Sequence, residues 1–388
     1  MKRVVVVGGS LAGVTAADAL RAEGYDGEIT IAGDEPRPPY TRPPLSKGVL
    51  AGAESAESVQ LPPLGDDVSL RLNATAKELD VGGRAVVLDG GERLSFDGLV
   101  VATGARARSL ARPGQQGEAQ LRTLDDALEL HAKLEHGPDV LIIGAGFLGM
   151  EIASTCRGLG LDVTVIDREP PLRRLVGEYL GRLLTEAALD AGVRVQVSHG
   201  NAELLGTDRI HGVRLADGRE LHAELVITAA GDVPSVDWLG GSGLRLAGGL
   251  VVDDRCRALP HVVGAGDAVT IATHLEGSTI RTPHWASAIE QARVAAAALL
   301  HGEASAPLRS TPYYWTEQFE LEVKVSGALP VHGEPVVLEG SVADRSAVLQ
   351  WLDERGQPYA AATINHRMPI GRLKRLARAT PARNAVTN

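Results

Sequence analysis

The chain has 388 residues, more than one hydrophobic core ordinarily serves, so about two to three domains are expected. Its formal charge of −10 argues against a nucleic-acid binder, which needs a basic surface or patch. Apolar runs such as Val4–Val7 and Ala295–Leu300 fall far short of the ~20 residues that span a bilayer, so no membrane insertion is expected and the cytoplasm is the expected location.

The first element is the β-branched run Val4–Val7, which meets Gly8-Gly-Ser-Leu-Ala-Gly13; Val14–Leu20 then carries Ala-rich helical spacing. Glu28–Ala32 reads as a second strand ending at Gly33-Asp34-Glu35, which completes a βαβ unit. Leu99–Thr103 is apolar and closes on Gly104, and Arg106–Gly114 reads as a crossing between domains. The pattern then recurs. Val140–Ile143 leads into Gly144-Ala-Gly-Phe-Leu-Gly149, a helix follows to about Leu159, and Asp162–Ile166 is a strand ending at Asp167. After the strand Leu225–Ala229 a second crossing falls near Gly231–Pro234. Val262–Asp267 is then a strand ending beside a ligand, and Ala286–Leu300 a helix. Beyond Pro307 the texture alternates, with strands at Glu320–Ser326 and Ala347–Leu352 and a turn at Asp353–Gly356, as in a small α+β domain. The last stretch, His366–Asn388, holds Arg367, Arg372, Lys374, Arg375, Arg378 and Arg383 and no acid.

Glycines after a strand permit a tight turn and close backbone approach, so a pyrophosphate can sit against the free N–H groups of the helix that follows. Gly144, Gly146 and Gly149 complete such a fingerprint, whereas in Gly8, Ser10 and Gly13 a serine replaces the middle glycine. Two such turns imply two bound dinucleotides. Asp34 and Asp167 end the following strands, where a carboxylate accepts from ribose hydroxyls and disfavours a 2′-phosphate; the alternative is a solvated turn acid. Asp167 therefore favours NADH over NADPH, opposed only by a clamp from Arg168, Arg173 and Arg174. Cys156 and Cys256, a hundred residues apart with no C-x-x-C, read as unpaired thiols, and no metal site is expected.

The most specific local sequence is Pro38-Pro-Tyr-Thr-Arg-Pro-Pro-Leu-Ser-Lys47, too rich in proline for a helix or central strand. Together with Ala102-Thr103-Gly104, Leu121–Ala127, Gly144–Glu151, Gly264-Ala-Gly-Asp267 and Tyr314-Trp-Thr-Glu-Gln318, it resembles the oxygenase-coupled NADH-dependent ferredoxin reductases, relatives of rubredoxin reductases and apoptosis-inducing factor. The resemblance covers nearly the whole chain. It implies an α/β fold with two Rossmann-like domains: a discontinuous FAD-binding domain (1–110 and 235–306), an inserted NAD-binding domain (111–234) and a C-terminal interface domain (307–388).

By that similarity Ala12, Asp34, Arg42, Lys47, Ala76, Thr103, Arg122, Asp267 and Trp285 contact FAD, beside Gly8, Ser10 and Gly13 of the first turn. Gly144, Gly146, Gly149, Glu151, Asp167, Arg168 and Trp315 fall to NAD, with a core tryptophan as the alternative for Trp315. Lys47 and Glu151 are the implied catalytic pair at the flavin, against the plainer reading of a structural ion pair. Relatives that reduce peroxides or disulfides carry a redox cysteine in that proline-rich segment or a C-x-x-C after the first helix; here there is Ser46 and no such pair, so a thiol relay is excluded. Two departures bear on the transfer: Pro283 replaces an acid before Trp285, and Asn365-His-Arg-Met-Pro369 replaces an N-R-P segment on the partner-facing side.

The implied activity is an FAD-dependent NADH:ferredoxin reductase, serving a ferredoxin of the 2Fe-2S type that feeds a cytochrome P450 or ring-hydroxylating oxygenase. The alternatives are a rubredoxin or nitrite-system reductase, a diaphorase, and a redox-sensing flavoprotein like apoptosis-inducing factor. An acidic reductase needs a basic docking face for an acidic ferredoxin, and the Arg-Lys tail is a candidate, against the reading of a solvated helix end. Oligomeric state is not legible.

Overall fold

A strand made almost wholly of valine can bury both faces only at the centre of a sheet. Arg3–Val7 lies there, parallel to Glu28–Ala32 on one side and Gly98–Val101 on the other. The computed structural model describes residues 1–273, 277–309 and 311–378. It divides into two units: Met1–Pro43, Glu54–Ala107 and Asp232–Ser310 form the first, and Pro44–Ala53, Arg108–Gly231 and Thr311–Asn388 the second.

In the first unit, a six-stranded sheet runs in the order Arg257–Leu259, Val262–Gly264, Gly98–Val101, Arg3–Val7, Glu28–Ala32, Val68–Arg71. All its pairings are parallel except the first. Helices Leu11–Ala22 and Trp285–His301 pack against each other through Ala16, Ala17, Ala292, Ala295 and Ala296, all fully buried; such small residues let two backbones approach closely. The opposite face is filled by Leu79, Val86, Phe96 and Trp238, partly from a three-stranded meander over Ala76–Ser95. Asp232–Pro234 pairs antiparallel with Ala105–Ala107.

In the second unit a five-stranded parallel sheet runs Arg194–Val197, Val163–Asp167, Val140–Ile143, Leu225–Thr228, Glu118–Ala119. Its helices include Phe147–Gly158, Glu178–Asp190 and Leu124–Leu134, the last begun by a reciprocal cap between Thr123 and Asp126. A separate antiparallel sheet runs Tyr313–Gln318, Leu321–Gly327, Pro358–Ile364, Ser346–Leu352, Val336–Ser341. Helix Ile370–Leu376 lies against this sheet through the buried Leu373, and Gln350 Nε2 donates to the Leu376 carbonyl.

The two dinucleotide folds are those expected, and the strands expected at Glu320–Ser326 and Ala347–Leu352 are found at Leu321–Gly327 and Ser346–Leu352. The short meanders were not anticipated, because three-residue strands carry little periodicity, and neither were the helices Leu124–Leu134 and Glu178–Asp190, although Leu124, Ala127, Leu130 and Leu134 in one and Leu180, Leu184 and Ala187 in the other are spaced to share a buried face. Both cysteines are free and buried, and burial pushes each thiol up to about 12.

Candidate functional site

Each unit carries one glycine turn built the same way. Gly8 has φ +120°, and a Cβ there would stand 2.1 Å from the Ala102 carbonyl oxygen; a Cβ at Gly13 would meet the Gly8 carbonyl at 1.9 Å. In the second unit, Gly144 has φ +112° with the Ala229 carbonyl at 2.3 Å from the same point, and Gly149 meets the Gly144 carbonyl at 1.9 Å. Backbone approach this close admits no side chain. The middle position differs: a Cβ at Gly146 would touch only Leu175 Cδ1 at 3.6 Å, so the site is open, and its counterpart in the first turn is Ser10. Ser10 and Gly146 are the N-cap residues of helices Leu11–Ala22 and Phe147–Gly158; neither makes a side-chain cap, and neither helix has an acid in its first turn. Unsatisfied first-turn N–H groups opening on a glycine cradle suit a pyrophosphate, so the residues present fit a dinucleotide in each unit.

Around the first turn, Ala12 and Gly266 are packed so closely that a Cβ at Gly266 would lie 3.1 Å from that of Ala12. This brings the Gly264–Asp267 turn to the glycine cradle. Asp267 is fixed by its carbonyl, which accepts from Arg281 Nε at 3.0 Å and Nη2 at 2.8 Å, while Arg281 Nη1 donates to Asp232 Oδ1 at 2.9 Å. Gly266 N–H donates to the buried Gln291 Oε1 at 2.8 Å. His284 accepts from the Ala286 N–H through Nδ1 at 3.2 Å, capping helix Trp285–His301. Its burial holds its pKa down to about 4, against the pull of Asp267. Trp285 opens that helix and is exposed.

Asp34 is exposed at the end of its strand; the neighbouring Glu35 carries the interaction, accepting from Arg42 Nη2 at 2.5 Å and from the Tyr40 hydroxyl. The Arg42 guanidinium also lies over the Tyr40 ring, 5.1 Å from its centroid. Burial works against its charge, but Tyr40, Glu35 and Asp267 outweigh that and leave its pKa raised. The Thr103 hydroxyl is spent on the Ser235 carbonyl at 2.7 Å, so only its backbone serves the turn. Ala76 begins a strand of the meander. Of the residues assigned to FAD by resemblance, Lys47 and Arg122 belong to the second unit and the others to the first.

The second unit holds the charged centre. Lys47 Nζ and the Ser46 hydroxyl both donate to Glu151 Oε2 at 2.7 Å, and the Thr316 hydroxyl donates to Oε1 at 2.8 Å. Helical spacing explains the convergence: Glu151, Ser154 and Thr155 share one face of helix Phe147–Gly158. Thr155 donates to the Ser46 carbonyl at 2.7 Å, and Ser154 accepts the Phe319 N–H at 2.7 Å, so one helix face binds both the proline-rich segment and the C-terminal sheet. Glu151 is 8% exposed and its only charged partner is Lys47, part-exposed, among the described residues. Sequence reasoning placed Lys47 and Glu151 together but missed the hydroxyls of Ser46 and Thr316. The Tyr314–Gln318 motif was the signal for Thr316.

Asp167 closes the second turn, accepting the Ala145 N–H on Oδ2 and the Arg168 N–H on Oδ1, each at 2.6 Å. Arg168 is exposed beside it. Phe147, the first residue of its helix, stacks on Tyr314 with centroids 6.3 Å apart, and Trp315, half-buried, stacks on Tyr313 at 5.9 Å. Of the basic tail, Arg372 pairs with Glu339 at 2.5 Å and Arg375 and Arg378 are exposed, whereas Arg383 lies outside the described residues. Among the described residues no helix is long and apolar enough to cross a membrane.

A family model described as pyridine nucleotide-disulphide oxidoreductase matches residues 2–298, which takes in both glycine turns and Glu151. The chain belongs to that family. It is 34% identical over 391 residues to the ferredoxin reductase component of chlorobenzene dioxygenase from Cupriavidus sp. (strain PS12), covering 98% of this chain and 93% of that one. It is also 34% identical to the benzene 1,2-dioxygenase system ferredoxin–NAD(+) reductase subunit of Pseudomonas putida, over 92% of this chain and 88% of the relative. Among solved structures, the ferredoxin reductase for the CYP199A2 system from Rhodopseudomonas palustris superposes with a TM-score of 0.86 at 30% identity, covering 94% of this chain and 92% of that one. Both cysteines of this chain are buried and free, and Ser46, not a cysteine, precedes Lys47.

Proposed function

We propose that this chain is an FAD-dependent reductase that takes hydride from NADH and delivers electrons singly to a 2Fe-2S ferredoxin serving an oxygenase, in the cytoplasm. The observation that carries the reading is a pair of glycine turns, one in each unit, in a chain whose two cysteines are both buried and unpaired. Two dinucleotides and no thiol relay leave the flavin itself as the donor. The relatives whose names specify ferredoxin and NAD(+) support the acceptor and the electron source.

FAD, when bound, supplies the two-electron to one-electron conversion that the reaction needs. The chain's own residues do the rest. Gly8, Ser10 and Gly13, with Ala12 behind them, present backbone N–H groups to one pyrophosphate, and Arg42 adds a fixed positive charge. Asp34, Ala76, Thr103, Arg122, Asp267 and Trp285 complete the FAD set. Gly144, Gly146 and Gly149 hold NADH, Asp167 and Arg168 border its ribose, and Trp315 shields the site. Asp167 disfavours a 2′-phosphate, which selects NADH. Lys47 offers an ammonium held in place by Glu151, and a cation fixed in advance stabilises negative charge without reorganisation.

The test is an anaerobic titration of the full chain, loaded with FAD, first by NADH and then by a panel of ferredoxins, rubredoxin, quinones and dyes. Rapid bleaching of the flavin by NADH and reoxidation fastest with a 2Fe-2S ferredoxin are expected. A colourless protein that takes up no FAD, or a reduced flavin that ferredoxins do not reoxidise, overturns the reading.

A further inference from the structure

The two oxygens of Glu151 are held differently. Oε2 takes both Lys47 and Ser46, whereas Oε1 takes the Thr316 hydroxyl. A hydroxyl has one hydrogen, and Thr316 gives it to Glu151, so Oγ1 can only accept from its other neighbour. Gln318 accordingly turns Nε2 toward it at 2.9 Å, and its own Oε1 is left buried with no hydrogen-bond partner. The carboxylate therefore sets the direction of the whole run. Gln318 is itself buried, 3% exposed, which keeps its amide in place. Thr316 and Gln318 are two residues apart on the strand Tyr313–Gln318 and so share a face.

We propose that Thr316, aimed by Gln318, is a positioning residue for the Lys47–Glu151 pair. The last torsion of a glutamate is broad and roughly two-fold, so contacts to a single oxygen leave the carboxylate free to swing. Ser46 and Lys47 share one oxygen, and Thr316 alone restrains the other among the described residues. By locking the carboxylate plane it fixes where the end of a four-carbon stem comes to rest. Its importance for hydride transfer rests on the reading of Lys47 given above.

The experiment uses the full FAD-loaded chain as wild type, T316V, T316S and K47A. T316V keeps the volume and loses the hydroxyl; T316S keeps the hydroxyl and loses the methyl. The first readout needs no NADH. The chain has six lysines, so the Lys47 ammonium is identified in a 15N-lysine spectrum by its disappearance in K47A. Its proton exchange should quicken about 5-fold in T316V and return in T316S. In stopped flow, the limiting rate of flavin reduction should fall about 3- to 10-fold in T316V, with the apparent Kd for NADH unchanged, and recover in T316S. Wild-type exchange and rate in T316V overturn the proposal, as does a T316S that behaves like T316V, since the methyl group would then be what matters. If K47A itself is reduced at the wild-type rate, it is the catalytic reading of Lys47 that fails, and the exchange measurement still decides whether Thr316 holds the pair.

Discussion

Lys47 Nζ and Glu151 Oε2 stand 2.7 Å apart although 104 residues separate them along the chain. Positive charge in this chain is overwhelmingly arginine, with six lysines in all, so a lysine at the one partly buried ion pair of the charged centre is a specific choice. An ammonium is a compact point charge, whereas a guanidinium is a planar fork.

Lys47→Ala should slow flavin reduction by NADH about 100-fold, the scale of losing one preorganised donor at developing charge, while FAD remains bound. Stopped-flow reduction together with flavin content per chain checks this. An equal loss of both would make the pair structural.

Gly8→Ala and Gly149→Ala each drive a methyl into a carbonyl oxygen at about 2 Å and should cost roughly 2–4 kcal/mol or prevent folding. Gly146→Ser should behave differently. Space is open at that position and Ser10 already occupies its counterpart, so the variant should fold normally and bind NADH only a few-fold more weakly, as read by titration against urea stability.

Arg281→Lys removes the fork that joins the Asp267 carbonyl to Asp232. The Asp267 turn should loosen, and FAD should dissociate faster from the variant than from wild type, by about 10-fold. Fluorescence of released flavin reads this directly, and an unchanged release rate would remove Arg281 from the account.

His284 predicts an acid-side loss of stability. Its folded pKa, held down to about 4 by burial, lies below the unfolded value of about 6.5. Below pH 6.5 the unfolded chain takes a proton that the folded chain refuses, so stability falls as pH drops toward 4, by up to roughly 3 kcal/mol from this group. His284→Asn keeps a capping side chain and removes the titration. Urea unfolding at pH 7 and pH 4.5 should show a smaller difference for the variant; parallel losses would mean other groups set the acid limit.

For the partner, Arg375→Glu with Arg378→Glu should raise the Michaelis constant for an acidic ferredoxin and flatten its salt dependence, leaving reduction by NADH unaltered. Point substitution is preferable to removing the tail after Pro369, because Leu373 of helix Ile370–Leu376 is part of the core of the sheet beneath.

What could be read from the sequence was what the chain encodes locally. Both glycine turns were legible because strand, turn and helix follow one another within a few residues, although the carbonyls that exclude a side chain at Gly8 and Gly144, those of Ala102 and Ala229, come from the ends of neighbouring strands. The surroundings of Glu151 were not, because Ser46 lies 105 residues before it and Thr316 165 residues after, and no spacing rule links segments so remote. Only the family resemblance joined Lys47 to Glu151. The acids after the second strand show a finer limit: the sequence singled out Asp34, and only geometry shows that its neighbour Glu35 meets Arg42 and Tyr40.

The helix face bearing Glu151, Ser154 and Thr155 has a bearing on biosynthesis. The first glycine cradle is completed by the Gly264–Asp267 turn and the second by the Ala229 carbonyl, and the hydroxyl that completes the carboxylate's shell is translated later still, on the strand Tyr313–Gln318. A nascent chain therefore carries Glu151 with one carboxylate oxygen unrestrained until that last sheet is made. Chain order thus leaves the Lys47–Glu151 pair incompletely held until synthesis has passed the C-terminal sheet.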